Sequence, residues 1–341
     1  MNYTVLSPWA HTDPSDGTGL RPRVSSLHGK TIGLFAHFKQ HSPILLELIR
    51  DALAERFPDA RFSLLQYPRD TTEIINDPAF DKKLKDWLGG MDVVVSALGD
   101  AGSCTLFLAY NTAYIEKLGK PAVLIANKHY VETAKRGVRI RNVPALRIVS
   151  SEMGDLSTQP KLDEETVNKL IRPTVGPVID PIIHALTSPL SPEEETSKPT
   201  EDNFSDAVFT GTLEEINKTF YQNGWTNGMP IMPPTRELVE EMLTGTDLPR
   251  DHVVARIPPR LGEATVEKIA INAVMAGCLP IHMPVLIAAV KGMVDPRIHL
   301  EGWTCSASSW FPLIILSGPI CKELDMNSGS TVLILIFNKK V

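Results

Sequence analysis

From Lys30 onward, short aliphatic runs alternate with longer stretches in which apolar residues recur every three or four positions. The runs TIGLFA (31–36), RFSLLQY (61–67), DVVVSAL (92–98), PAVLIAN (121–127) and ALRIVS (145–150) predict five strands. The third is continuous in its apolar residues, as suits a strand covered on both faces. Residues 42–56, 81–90, 104–118 and 129–137 predict helices between them. Ser42 is placed to cap the first, Pro43 suits its first turn, and Gly119 closes the third. Regular alternation of strand and helix predicts an α/β domain, a mostly parallel sheet with helices on both faces. Right-handed crossovers make a flavodoxin-like, Rossmann-like strand order of 2-1-3-4-5 the simplest arrangement.

On either side of this block the pattern changes. Residues 1–29 are rich in Pro, Gly, Ser and Asp and read as an irregular surface arm, so the α/β domain is expected over 30–186. The stretch TSPLSPEEETSKPTEDNFSDA (187–207) has little to bury and reads as a linker. A smaller, mainly helical α+β domain is expected over 208–341, with helices at 212–223, 235–244, 262–280 and 282–294. A turn-rich segment, NGWTNGMPIMPPT, lies at 223–235, and no internal repeat is visible.

Composition narrows the function classes. A chain of 341 residues, 43% hydrophobic and 22% charged, has the length of two globular domains. Its net charge of −6, without a basic stripe or interleaved aromatics, argues against a nucleic-acid partner. The N-terminus lacks a basic start and a long apolar run, and the most apolar stretches, 283–294 and 311–320, are too short to cross a bilayer. A soluble, cytoplasmic protein without a membrane partner is therefore expected. The four cysteines, Cys104, Cys278, Cys305 and Cys321, form neither a C-x-x-C pair nor a zinc-spaced cluster. Free thiols are expected, with no metal and no organic cofactor.

Candidate chemistry concentrates at the sheet edge. In a doubly wound sheet, ligands bind beyond the carboxyl ends of the strands where the strand order reverses. The loops HFKQHS (37–42), GDAGSCT (99–105) and NKHY (127–130) bring Lys39, His41, Asp100, Ser103, Cys104, Asn127, Lys128 and His129 toward that crevice. Cys104 falls in the first turn of a helix, where unpaired N–H groups and the dipole favour an anion and thiols are acidified. Gly99 and Gly102 allow a sharp turn and leave room for a ligand, and Ser103 and Thr105 offer hydroxyls. A buried, inert cysteine behind a tight turn is the competing reading. A phosphate-cradling loop is weaker, because G-x-G-x-x-G and a Walker lysine are both missing.

These residues carry a resemblance. LGDAGSCT (98–105), the helix after it and EKLGKPAVLI (116–125) resemble the UGSC family, whose members bear selenocysteine or cysteine and then Gly-Ser-Cys after the third strand of an α/β domain. A more distant likeness is to the selenoprotein subunits of the glycine and betaine reductases. The resemblance extends to GKTIGLFAHFK (29–39), GWTNGMPIMPPT (224–235), PPRLGEATVEKIAINAVMAGC (258–278) and LSGPICKELDMNSG (316–329), and so over most of the chain. It implies an α/β fold and a thiol or selenol redox role. Two departures stand out. Ala101 occupies the position of the first redox residue, so no disulfide can form inside the motif and Cys104 alone remains. Similar longer proteins continue beyond NSG into a Gly/Asn/Arg-rich stretch, whereas this chain ends with STVLILIFNKKV; a shortened product and a native short form both fit.

In the second half, Thr265, Lys268, Asn272 and Met275 share one helical face, either a solvated stripe or a polar anchor for a ligand. Glu263 and Glu267 offer carboxylates for acid–base work. Cys278 is the candidate second thiol, while Cys305 and Cys321 read as packing residues. Trp225 and Met229 either pack or line a pocket.

Together these features lead to the expectation of a cysteine-dependent enzyme acting on a small molecule by covalent addition, elimination or transfer. Cys104 is the nucleophile, Asp100 and Ser103 shape the turn, and Lys39, Lys128 or His129 supplies positive charge or a proton. Gly99, Gly102, Thr105, Asn127, Lys128, Trp225, Glu267, Lys268 and Asn272 are expected to bind substrate, in a site between the two halves. Two alternatives stand beside it. One is a thiol oxidoreductase in which Cys278 or an external thiol resolves Cys104. The other is a non-catalytic binding or regulatory protein. A homo-oligomer is compatible with the sequence.

Overall fold

The structure, a computed structural model, describes residues 1–10, 17–68, 73–153, 156, 162–196, 207–226, 228–258, 260–304 and 312–326. The chain begins with β1 (Tyr3–Leu6) and continues through β2 (Thr31–Ala36), α1 (His41–Arg56), β3 (Arg61–Gln66), α2 (Pro78–Leu88), β4 (Val93–Gly99), α3 (Gly102–Lys117), β5 (Ala122–Asn127), α4 (Val131–Ile140), β6 (Ile148–Ser151) and α5 (Gly176–Thr187). Then follow β7 (Ala207–Gly211), α6 (Leu213–Gln222), α7 (Arg236–Leu243), β8 (Val253–Ile257), β9 (Gly262–Thr265), α8 (Val266–Met275) and α9 (Met283–Met293). The described residues fall into two compact units. One draws on Met1–Asp13, Asp202–Leu300 and Phe311–Val341, the other on Pro14–Glu201 and Glu301–Trp310.

The α/β unit is built on a five-stranded sheet of order β3-β2-β4-β5-β6. All four pairings are parallel, as the alternation of elements and the crossover rule require. Side chains alternate along each strand, and so do their cores. Ile32 and Leu34 of β2, with Val93 and Val95 of β4, pack on one face under Leu45, Leu46 and Ile49 of α1 and Ile179 and Ile182 of α5. Phe35 and Val94 face the other way, under Phe80 and Leu84 of α2, Leu108 of α3 and Val138 of α4. Each such Leu, Ile, Val or Phe contributes about 1.5–3 kcal/mol by leaving water. Because α1 and α3 cover opposite faces while β2 and β4 are neighbours, both helices begin at the point where the strand order reverses.

The other unit pairs β1 antiparallel with β7 and β8 antiparallel with β9. Its core gathers Val5, Leu6, Ile216, Phe220, Val239, Met242, Val266, Ala270, Val274 and Met283.

Three local expectations are corrected. Residues 3–6 are not part of an irregular arm: they form β1, with Val5 and Leu6 buried against α6, α7 and α8. Residues 187–196 are not a bare linker. Arg147 holds the Glu194 carboxylate at 2.8 and 2.9 Å, and Leu20 N–H donates to the Glu194 carbonyl at 2.8 Å. Hydrogen bonds from Arg147 pull the Glu194 carboxyl down to about 2. Finally, 262–280 is not helical from its start. Gly262 to Thr265 alternate buried and half-buried, the period of a strand, and Thr265 then caps α8 by accepting from Lys268 N–H.

Candidate functional site

Asp100 organises the sheet edge. β4 ends at Gly99, where a Cβ would lie 2.9 Å from both Cγ2 and Oγ1 of Thr105, so only glycine lets the chain turn this closely against α3. Ala101 is extended (φ −149°, ψ 165°) and the helix begins at Gly102. Asp100, one residue before that cap, is fully buried. Its Oδ1 accepts from Lys39 Nζ at 2.8 Å, and its Oδ2 lies 2.8 Å from His41 Nε2. A carboxylate removed from water needs such partners.

The loop that carries Lys39 and His41 is fastened to the sheet. His37 N–H donates to Ala97 O and to Ser42 Oγ, both at 2.9 Å, and the Ser42 hydroxyl donates to Ala97 O. Gln66 Nε2 donates to the carbonyls of His37 and Phe38 at 3.1 and 3.2 Å. The His37 ring is 2% exposed and meets Phe38 edge-on. Burial pushes its imidazole down to about 3, with Lys39 and His41 adding to the fall and Asp100 opposing it. Among the described residues, His37 Nδ1 and Thr105 Oγ1 are buried without a hydrogen-bond partner.

Cys104 is the third residue of α3 and 6% exposed, with Gly102 buried and Ser103 half-buried beside it. No side chain caps this 16-residue helix, and its first turn holds no acid. Lys39, His41, Asp100 and Cys104 therefore come from the two loops expected to meet.

The side chains of the third loop have partners of their own. Asn127 accepts from His129 N–H at 2.8 Å and donates to the Met153 carbonyl, so its amide shapes the start of the β5–α4 connection. Lys128 pairs with Glu152, and His129 is exposed. Among the described residues, Asp100 bonds to none of these three side chains.

The polar stripe of α8 has a different use from the one expected. The buried Lys268 donates from Nζ to Ser7 O at 3.0 Å, and Asn272 Nδ2 donates to Pro8 O at 3.1 Å. Buried polar groups need partners, and here the backbone beyond β1 provides them. Glu267 lies 3.4 Å from Arg250, and Glu263 pairs with Arg256. Trp225 packs edge-on against Phe220 with ring centroids 5.1 Å apart, Met275 is buried, and Met229 is exposed. Cys278 and Cys321 are half-buried, and burial pushes the Cys278 thiol up. Cys305 and the STVLILIFNKKV segment lie outside the described residues.

His37 and Gln66 are participants that sequence reasoning missed, and Ser42, expected to cap α1, instead lies inside a helix that starts at His41 and ties the loop to Ala97 O. The available signal was the imidazole–ammonium–imidazole spacing at 37, 39 and 41, directly after a strand.

A family model of known proteins matches residues 4–175. The chain belongs to the UGSC family. The UGSC match takes in every strand of the parallel sheet and, with them, Lys39, His41, Asp100 and Cys104. No curated protein matches the chain. Among the described residues of this UGSC protein, no group of three His, Cys, Asp or Glu is placed to hold a metal ion, and no helix is long and apolar enough to cross a membrane.

Proposed function

We propose that the chain is a thiol-dependent enzyme acting on a small molecule, with Cys104 as its nucleophile. The carrying observation is the position of Cys104: the first turn of an uncapped helix, four residues after a buried aspartate that is paired to a lysine and a histidine. The first N–H groups of a helix have no acceptor within it, and the helix field there favours an anion. A thiolate is the form of cysteine that attacks. In the proposed step the Cys104 thiolate forms a bond to an electrophilic carbon of the substrate, the π bond at that carbon opens, and the electron pair it releases takes a proton supplied by Lys39, which Asp100 orients. Lys39 is preferred to Lys128 here because Lys128 is exposed and pairs with Glu152.

Addition, elimination or transfer through one thiol fits better than disulfide cycling. Ala101 brings no second sulfur to the motif, and burial makes Cys278 a poor attacking thiol. We place the protein in the cytoplasm, where thiols stay reduced. One observation favours a second reading: with 6% exposure, Cys104 could serve as a packed thiol in a protein that binds a small molecule without transforming it.

Alkylation of the native chain by iodoacetamide at mildly acidic pH, read by peptide mass spectrometry, separates the two. The enzyme reading expects Cys104 to label first. Labelling of Cys278 and Cys321 with Cys104 untouched would leave the binding reading in its place.

A further inference from the structure

Two features of the sheet edge go beyond the proposed thiol step, which uses only the start of α3. The first is a pair of helix starts. α1 and α3, each of 16 residues, begin there from opposite faces of the sheet, and neither has a side-chain cap or an acid in its first turn. In the same unit, α2 is capped by Asp77 and carries Asp81 in its first turn. The second is a pair of unsatisfied groups. His37 Nδ1 and Thr105 Oγ1 have no hydrogen-bond partner among the described residues, and their side chains are 2% and 0% exposed. His37 follows β2 and Thr105 is the fourth residue of α3, so they flank the junction that Asp100 ties together. A buried polar group left unpaired is destabilising, and a bound acceptor removes that cost. Neither group bonds to Asp100, whose carboxylate meets Lys39 and His41. Lys39 offsets the Asp100 charge, so the field of the α1 start, which the thiol step does not use, favours a further anion.

We propose that this edge binds an oxyanion, the carboxylate or phosphate group of the substrate, using the His37 ring nitrogen and the Thr105 hydroxyl as donors between the two helix starts. Burial keeps the imidazole uncharged at neutral pH, and an uncharged ring can carry its proton on Nδ1. The inference rests on the reading of Cys104 as nucleophile only in calling the anion a substrate; the binding itself needs no thiol.

The test uses the full chain with Cys104→Ser, so that anion binding is read apart from thiol reactivity. Inorganic phosphate and, separately, malonate are titrated by calorimetry. Saturable binding at a single site is expected for at least one of them, and the tighter of the two tells phosphate from carboxylate. Adding Thr105→Val keeps the shape and removes the hydroxyl. Affinity should fall about tenfold, the scale of one hydrogen bond to a charged group. The melting temperature should stay level or rise, because an unpaired buried hydroxyl has gone. Thr105→Ser should keep the affinity, and His37→Leu carries the same expected loss should the valine variant fail to fold. The proposal is overturned if neither anion binds saturably, or if affinity is unchanged in both Thr105→Val and His37→Leu. Anion binding together with an unreactive Cys104 would leave this site standing and remove the nucleophile reading alone.

Discussion

Asp100 has no exposed surface, and its charge is tolerated because Lys39 and His41 each meet one carboxylate oxygen. Replacing it by asparagine keeps the shape and strips Lys39, itself largely buried, of its counter-charge. Asp100→Asn is expected to lower stability by about 3–5 kcal/mol, as breaking a buried ion pair does, measured by urea unfolding. Asp100, Lys39 and His41 were legible in the sequence because polar residues directly after buried strands point to a sheet edge. His37 was not, because nothing in its immediate neighbours says that its ring turns inward. Asn127 and Lys128 also follow a strand, and the sequence did not show the partners their side chains meet, Met153 O and Glu152.

At the scale of elements, the start of α3 carries the proposed chemistry. Ala101 is its N-cap and Cys104 lies three residues on, the spacing of a redox pair at a helix start. Ala101→Cys is therefore expected to lose two titratable thiols on mild oxidation, while the parent forms no such bridge. An unchanged thiol count in the variant would contradict this helix start. The five parallel strands could be read because each is a run of apolar residues set off by turns. β1 and β9 could not, for two different reasons. β1 has four residues and finds its partner strand only about 200 residues further along the chain, Tyr3 opposite Gly211. The Gly-Glu-Ala-Thr of β9 leads straight into a helix and hides inside its apolar pattern.

On the scale of the whole molecule, the buried His37 and the half-buried Glu301 set opposite limits on stability. His37 titrates at about 3 when folded against 6.5 as a free side chain, so its contribution is complete above pH 6.5 and is lost as pH falls toward 3. Glu301 behaves in reverse. Burial, and then the neighbouring Glu73 charge, raise its carboxyl from 4.5 to about 7, with Arg141 opposing from 3.1 Å. The folded chain holds a proton that the unfolded chain releases, so this contribution is complete below pH 4.5 and is lost as pH rises through about 7. Urea midpoints measured across that range should decline less on the alkaline side in Glu301→Gln than in the parent. An identical decline would show that Glu301 does not hold its proton in the fold. Neither limit could be read from sequence, because both depend on which charges the fold buries together.

The central claim, that the fold activates Cys104, is tested most directly by one rate. Iodoacetamide alkylation of Cys104 is followed in the native chain and again in the same chain unfolded in urea, with peptide mass spectrometry isolating that cysteine. An activated nucleophile at an open helix start reacts faster in the native chain than in the unfolded one, despite its small exposed surface. A native rate below the unfolded rate would show that the fold shields this thiol, and would contradict the account.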